Sequence, residues 1–132
     1  MNSKKIPKIR IGKLEAKVPI IQGGMSVGIS LAGLASAVAN EGGIGVIGAA
    51  GIGMLEPDFA TNFRRANKRA LRKEIKKARE MTDGIIGVNI MVALSDFDDL
   101  VLVAVNEGAD LIFAGAGLLL RLPKTLPLDR LR

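Results

Sequence analysis

The sequence predicts an α/β protein built from successive βα units, and three observations carry that reading. Hydrophobic residues make up 48% of the chain and the mean hydropathy is +0.31, which suits strands buried on both faces better than a half-wet antiparallel sheet. Short apolar runs alternate with helical patterns, the order expected of parallel strands joined by crossovers. The chain also repeats itself: "NEGGIGVIGAAG" from Asn40 and "NEGADLIFAGAG" from Asn106 align without gaps at an offset of 66 residues. Each copy reads as a helix end, a tight turn, a strand and a small-residue loop. Two units of about 33 residues fit the offset, in line with the size of a βαβ unit.

Taken in order, a short strand over 9–11 and a turn near Gly12 predict an N-terminal hairpin with the segment that follows. A strand over 19–22 leads to a helix over 30–41 closed by Gly42, then a strand over 44–47 enters "GAAGIG". The stretch "FRRANKRALRKEIKKARE" places basic pairs every four residues, with Phe59, Phe63, Ala66, Ala70 and Ile75 on another face, and reads as an amphipathic helix. After "TDG" come a strand over 85–89, a helix opened by Ser95 with Asp98 three residues on, a capping-box pattern, and closed by Gly108, and a last strand over 111–113.

Right-handed crossovers between such strands give an open doubly wound sheet or a piece of a (β/α)8 barrel. Both place ligands at the carboxyl ends of strands. Neither G-x-G-x-x-G after the first strand nor a P-loop is present, so the open-sheet nucleotide readings lose their best support. "GVIGAAGIG" follows the second strand and runs into "MLEPDF" instead of directly into a helix, a weak match.

Composition narrows the chemistry. With no cysteine there is no disulfide framework, thiolate metal site or cysteine nucleophile. With no histidine, the commonest general base and metal ligand are both missing; no catalytic or metal-ligating residue is assigned. Without Trp or Tyr, base stacking would fall to four Phe residues, a poor platform for single-stranded nucleic acid. The net charge of +6 is concentrated in the basic helix, which reads either as a phosphate-binding face or as a solvated outer helix; the second fits better, since no nucleic-acid motif accompanies it. Residues 18–40 carry no charge, but Pro19, Gln22, four glycines and three serines make a weak membrane span. The basic start leads into no apolar export segment, and a cytoplasmic location is the expectation.

The stretch "PIIQGGMS" is where a ligand is expected. Strand-favouring residues run into Gln22, and Gly23 and Gly24 then remove every side chain that could keep a flat ligand off the backbone. Met25 adds a soft contact, and Ser26 and Ser30 can each offer an oxygen to amides where the next helix starts. An ordinary strand-to-helix turn accounts for the same residues. Gln22 and Asn89 each set an amide at the carboxyl end of a strand; for Asn89 the plain alternative is a turn asparagine.

"VPIIQGGMS", "NEGGIGVIGAAG", "GIIGVNIMVALSDFDDLV" and "NEGADLIFAGAG" together resemble the amino-terminal part of the nitronate monooxygenase (2-nitropropane dioxygenase) family over about residues 8 to 124. Close relatives of that family include flavin-dependent enoyl-acyl-carrier-protein reductases. The resemblance implies an FMN-binding TIM barrel, of which this chain is the N-terminal half with about four βα units. It carries the flavin contacts onto Gly23, Gly24 and Met25, with Gln22 beside them, and onto Asn89. A nitronate or nitroalkane is the implied substrate, turned over by a whole barrel. The family's phosphate-binding loops and catalytic histidine lie in later strands, and no residue here takes the histidine's place by position. A whole barrel typically needs about 250 residues and eight strands, so the expectation is one truncated domain over 1–132, inactive alone: a hairpin region over 1–18, βα units over 19–122 and an atypical tail over 123–132. Unpaired edge strands also predict self-association.

Overall fold

The computed structural model describes residues 6–123 and 126. Its elements run β1 (Ile9–Ile11), β2 (Leu14–Ala16), α1 (Ala32–Asn40), β3 (Ile44–Gly48), α2 (Phe63–Met81), β4 (Ile85–Met91), α3 (Phe97–Asn106) and β5 (Leu111–Gly115). β1 and β2 form the expected antiparallel hairpin, with Gly12 at φ +56 in its turn. β3, β4 and β5 form a parallel sheet in that order. This is the α/β half-barrel arrangement that the sequence predicts.

The strand expected over 19–22 is reduced to one parallel bridge, Ile21 to Ile44. The Gln22 N–H donates to Ile44 O (3.0 Å) and the Ile44 N–H donates to Ile20 O (2.9 Å). Beyond that point the main chain leaves the sheet, because Gly23 and Gly24 open a turn. Helix α1 begins at Ala32, two residues later than expected. The capping box at Ser95 does not form: Asp96 is the residue before α3, and no side chain caps that end. Of the tail expected over 123–132, only Pro123 and Leu126 lie among the described residues.

The two faces of the sheet bury different sets. Ile44 and Val46 turn inward with Ala16, and Ile9, Ile11, Ile85, Leu111 and Phe113 pack against them, so the hairpin covers the inner face. On the outer face Ile47, Ile86, Val88 and Ile90 meet Ala35 and Ala39 of α1, Leu71, Ile75 and Ala78 of α2, and Leu100, Val101 and Ala104 of α3. This is the inside-outside alternation of a barrel wall. Helix α1 rides unusually close to β3: a Cβ on Gly45 would stand 1.8 Å from Ala35 O. α2 is closed at its start by Asn62, whose side chain accepts from the Arg65 N–H (3.1 Å).

The sequence repeat is a repeated corner. After α1, Gly42 (φ +87) donates to Ala39 O and Gly43 to Val38 O; after α3, Gly108 (φ +88) donates to Val105 O and Ala109 to Ala104 O. Both are Schellman turns, which need a residue in the left-handed region. The units are not equal, however: a long loop and the 19-residue α2 separate β3 from β4, whereas α1 and α3 have 9 and 10 residues.

Candidate functional site

The carboxyl ends of β3, β4 and β5, with the turn after Ile21, surround one surface. The side chain of Gln22 does not project into it. Its Oε1 accepts from the Val46 N–H (3.1 Å), and its Nε2 donates to Val46 O (3.0 Å) and Ser30 Oγ (3.1 Å). Those are the bonds that the next peptide groups of a parallel strand would make. The carboxamide therefore continues the ladder by one step while the main chain turns away at Gly23.

What the turn exposes is backbone. Among the described residues the N–H groups of Gly23 and Gly24 donate to no protein acceptor. A Cβ on Gly24 would stand 2.8 Å from both Asn89 Cβ and Val46 Cγ1, so the main chain at Gly24 lies against the inner wall where no side chain fits. A Cβ on Gly23 would meet open space. Asn89 is in register with Gly48 on one side and Phe113 on the other. Its backbone carbonyl accepts from the Ala49 N–H (3.0 Å), while its carboxamide bonds no other described residue. Met25 is held at its backbone only: its N–H donates to Ser30 Oγ and its carbonyl accepts from the Ser30 N–H, each at 2.9 Å, and the residue is 62% exposed. Gly48 permits this, since a Cβ there would come within 2.5 Å of Met25 O.

The structure thus brings Gly23, Gly24, Met25 and Asn89 to one surface and assigns Gln22 to the scaffold behind it. Ser30, expected to serve the start of α1, is buried and holds the loop instead. The free amide of Ala32 is taken by Glu74 Oε2 of α2 (2.9 Å), a long-range cap without a local sequence signal. The outer ring of loops is fixed by Asn67, which accepts from the Gly53 N–H and donates to Asp96 Oδ2, both at 2.9 Å and all buried. A polar residue at a core-facing helix position was the available clue.

The basic face of α2 pairs with neighbouring elements: Arg69 with Glu56 and Asp58, Arg64 and Lys68 with Asp99, Arg72 and Lys76 with Glu107, Arg79 with Asp110. Its hydrogen bond from Arg69 holds the Asp58 carboxyl below the ordinary carboxylate range, and Asp58 and Glu56 in turn raise Arg69. Glu15, on the hairpin, is lowered by hydrogen bonds from Lys8 and Arg10. Among the described residues no cluster of three or more potential metal ligands occurs, and no helix is long and apolar enough to cross a membrane.

Parallel βα units with glycines and an uncommitted amide at their carboxyl ends are the arrangement of a segment of a (β/α)8 barrel, a fold whose ligands bind at that end. The chain belongs to the nitronate monooxygenase family, whose profile matches residues 8–112. Among solved structures it is similar to FabK from Thermotoga maritima, with 31% identity and a TM-score of 0.65, over 86% of this chain and 32% of that one. A point mutant of the same FabK matches at 37% identity and a TM-score of 0.57, over 75% and 29% of the two chains. The chain therefore spans about a third of the FabK chains it matches. No curated protein matches it.

Proposed function

We propose that this chain is the flavin-binding part of an FMN-dependent oxidoreductase of nitronate monooxygenase type, with its acid–base machinery elsewhere. The observation that carries the reading is the pair of unengaged N–H groups at Gly23 and Gly24 beside the uncommitted carboxamide of Asn89. A flavin edge presents carbonyls and ring nitrogens, so peptide donors and one amide can satisfy it without a charge beside the redox centre. The open space beside Gly23 leaves room for a flat ring on the peptide, and the bare Gly24 lets that peptide close onto Asn89 and Val46.

Bound FMN would supply the electron-accepting chemistry by which an alkyl nitronate yields a carbonyl compound and nitrite, with oxygen restoring the flavin. This chain's residues would do narrower work. Gly23 and Gly24 would donate to the ring edge, Asn89 would orient it, and Met25 would shield it from water. Gln22 and Ser30 would keep the turn in place from behind. No titratable side chain among those at the surface can take a proton from a neutral nitroalkane, a step that needs a positioned base. Oxygen uptake by FMN-loaded chain offered a nitronate tests the division: the expected result is flavin binding without sustained turnover, and sustained turnover by the chain alone would overturn it.

A second reading, supported by the likeness to the two FabK chains, is reduction of an enoyl thioester with NAD(P)H. Asn89 and the glycine turn suit both. In a longer polypeptide that contains this segment, NAD(P)H-driven flavin reduction coupled to enoyl reduction would decide for the reductase, and nitrite release from nitronates for the monooxygenase.

A further inference from the structure

One turn at the carboxyl end breaks a local rule. Val27 (φ +51) is followed by Gly28 (φ +79), and the Ile29 N–H donates to Ser26 O (3.3 Å). The four residues from Ser26 to Ile29 therefore make a turn with both central residues left-handed, a form that favours Asn, Asp or Gly at the first of them. A β-branched residue is an outlier there. Burial does not offset the strain, since Val27 is 59% exposed. Nor does the backbone need valine: the Val27 N–H donates to Ala50 O (2.9 Å), a bond that asparagine would make equally well. What valine alone supplies is an apolar side chain in the open, and strain of this kind gathers at functional sites.

That side chain has a companion. A Cβ on Gly51 would stand 3.3 Å from Val27 Cγ1 and 3.1 Å from Met54 Sδ, so both side chains lie over the bare main chain of Gly51. Met54 is exposed too, as is Met25, two residues before Val27 on the loop that carries Gly23 and Gly24. Neither loop brings a charge: residues 18–40 and 42–55 contain none. Apolar side chains gathered at the surface beside a ligand site mark a place where something apolar is received.

We propose that Val27 and Met54 form an apolar wall at the margin of the flavin surface, and that this wall takes the hydrocarbon part of the substrate. The proposal rests on the flavin reading, which sets where the reacting group lies. A hydrocarbon chain is the occupant because the wall is uncharged, is only two side chains wide and continues the flavin loop through Met25. Its consequence is a graded preference: longer alkyl chains bind better, and the unbranched thioether of Met54 adapts to each length.

The test follows methionine methyl resonances of the chain, with and without FMN, during titration with the nitronates of 1-nitropropane, 1-nitrobutane and 1-nitrohexane; Met54→Leu assigns the Met54 signal. That signal should move, and affinity should rise about two- to fourfold per added methylene, the gain of a half-buried to fully buried CH₂. Val27→Asn should raise the urea midpoint, because asparagine tolerates the left-handed region. It should leave FMN affinity unchanged and remove most of the chain-length gain, which Val27→Ile should keep. Affinity indifferent to chain length, a full gain in Val27→Asn, or a lower urea midpoint in that variant would each overturn the wall. FMN binding is read separately from flavin fluorescence: its absence overturns the flavin reading, and the titration without FMN then decides whether the wall holds a chain.

Discussion

The two ends of this sheet are built from opposite materials. At the amino end, backbone groups are tied by long side chains: Arg79 donates to Gly108 O (3.0 and 2.7 Å), Gly84 O (2.9 Å) and Asp110 Oδ2 (2.5 Å), and Asp110 also accepts from the Ile86 N–H (3.0 Å). One guanidinium thus joins the turn before β4 to the turn before β5. At the carboxyl end the ties stand in the outer ring, through Asn67 and Asp96, or behind the surface, through Gln22 and Ser30. The centre is left to Gly23, Gly24 and Asn89. Stability is concentrated where no ligand goes, and unpaired polar groups are kept where one can, the division expected of (β/α)8 barrels.

That contrast makes ordered predictions. The largest effect is expected from Gly45→Val, which forces a side chain into the backbone of α1; overpacking of this kind costs about 3 kcal/mol or more, read as a fall in the urea midpoint. Arg79→Ala should cost about 2 kcal/mol, since it strips charge-assisted hydrogen bonds from two turns, yet leave flavin affinity unchanged in the folded fraction. A loss of affinity there would break the separation of the two ends. Gln22→Leu should cost roughly 1 kcal/mol, by leaving the Val46 peptide groups unpaired, and should weaken flavin binding as well, because the turn loses its anchor. Stability loss with full affinity would show that Gly23 and Gly24 hold their shape without it.

The smallest effect is acidic and touches both ends. Asp58, by the carboxyl-end loop, and Glu15, on the hairpin, have folded pKa values below their ordinary values of 3.8 and 4.5. Each therefore favours the folded state above its ordinary pKa, and that contribution is lost as pH falls through the depressed folded value. Both carboxylates are open to solvent, which screens their partners. Urea midpoints should stay level from neutral pH to about 5 and fall slightly below 4, with Asp58→Asn flattening part of the decline.

Much of the frame was legible because it is local. The Asn40 and Asn106 corners encode Schellman turns that form in both places, and the apolar runs locate β3, β4 and β5 to within two residues at their ends. What escaped was set by distance in the chain. Gln22 reads as a ligand residue at a strand end, but the free peptide of Val46 lies beside it and takes the amide first. Ser95 and Asp98 spell a cap that is not made, while α1 receives its carboxylate from Glu74, 42 residues away. The repeat also says nothing about burial: β3 and β5 share a corner, and their neighbours decide that one is core and the other an edge.

The flavin surface proposed for the carboxyl end of this chain is made of backbone. An FMN titration followed by flavin fluorescence tests it most directly, on the unaltered chain and on Gly24→Trp, Asn89→Ala and Arg79→Ala. The expected result is saturable binding by the unaltered chain, abolished by Gly24→Trp, weakened about tenfold by Asn89→Ala in keeping with the loss of a hydrogen bond worth about 1.4 kcal/mol, and kept by Arg79→Ala. Absence of binding by a chain shown to be folded, or binding indifferent to Gly24→Trp, would contradict it.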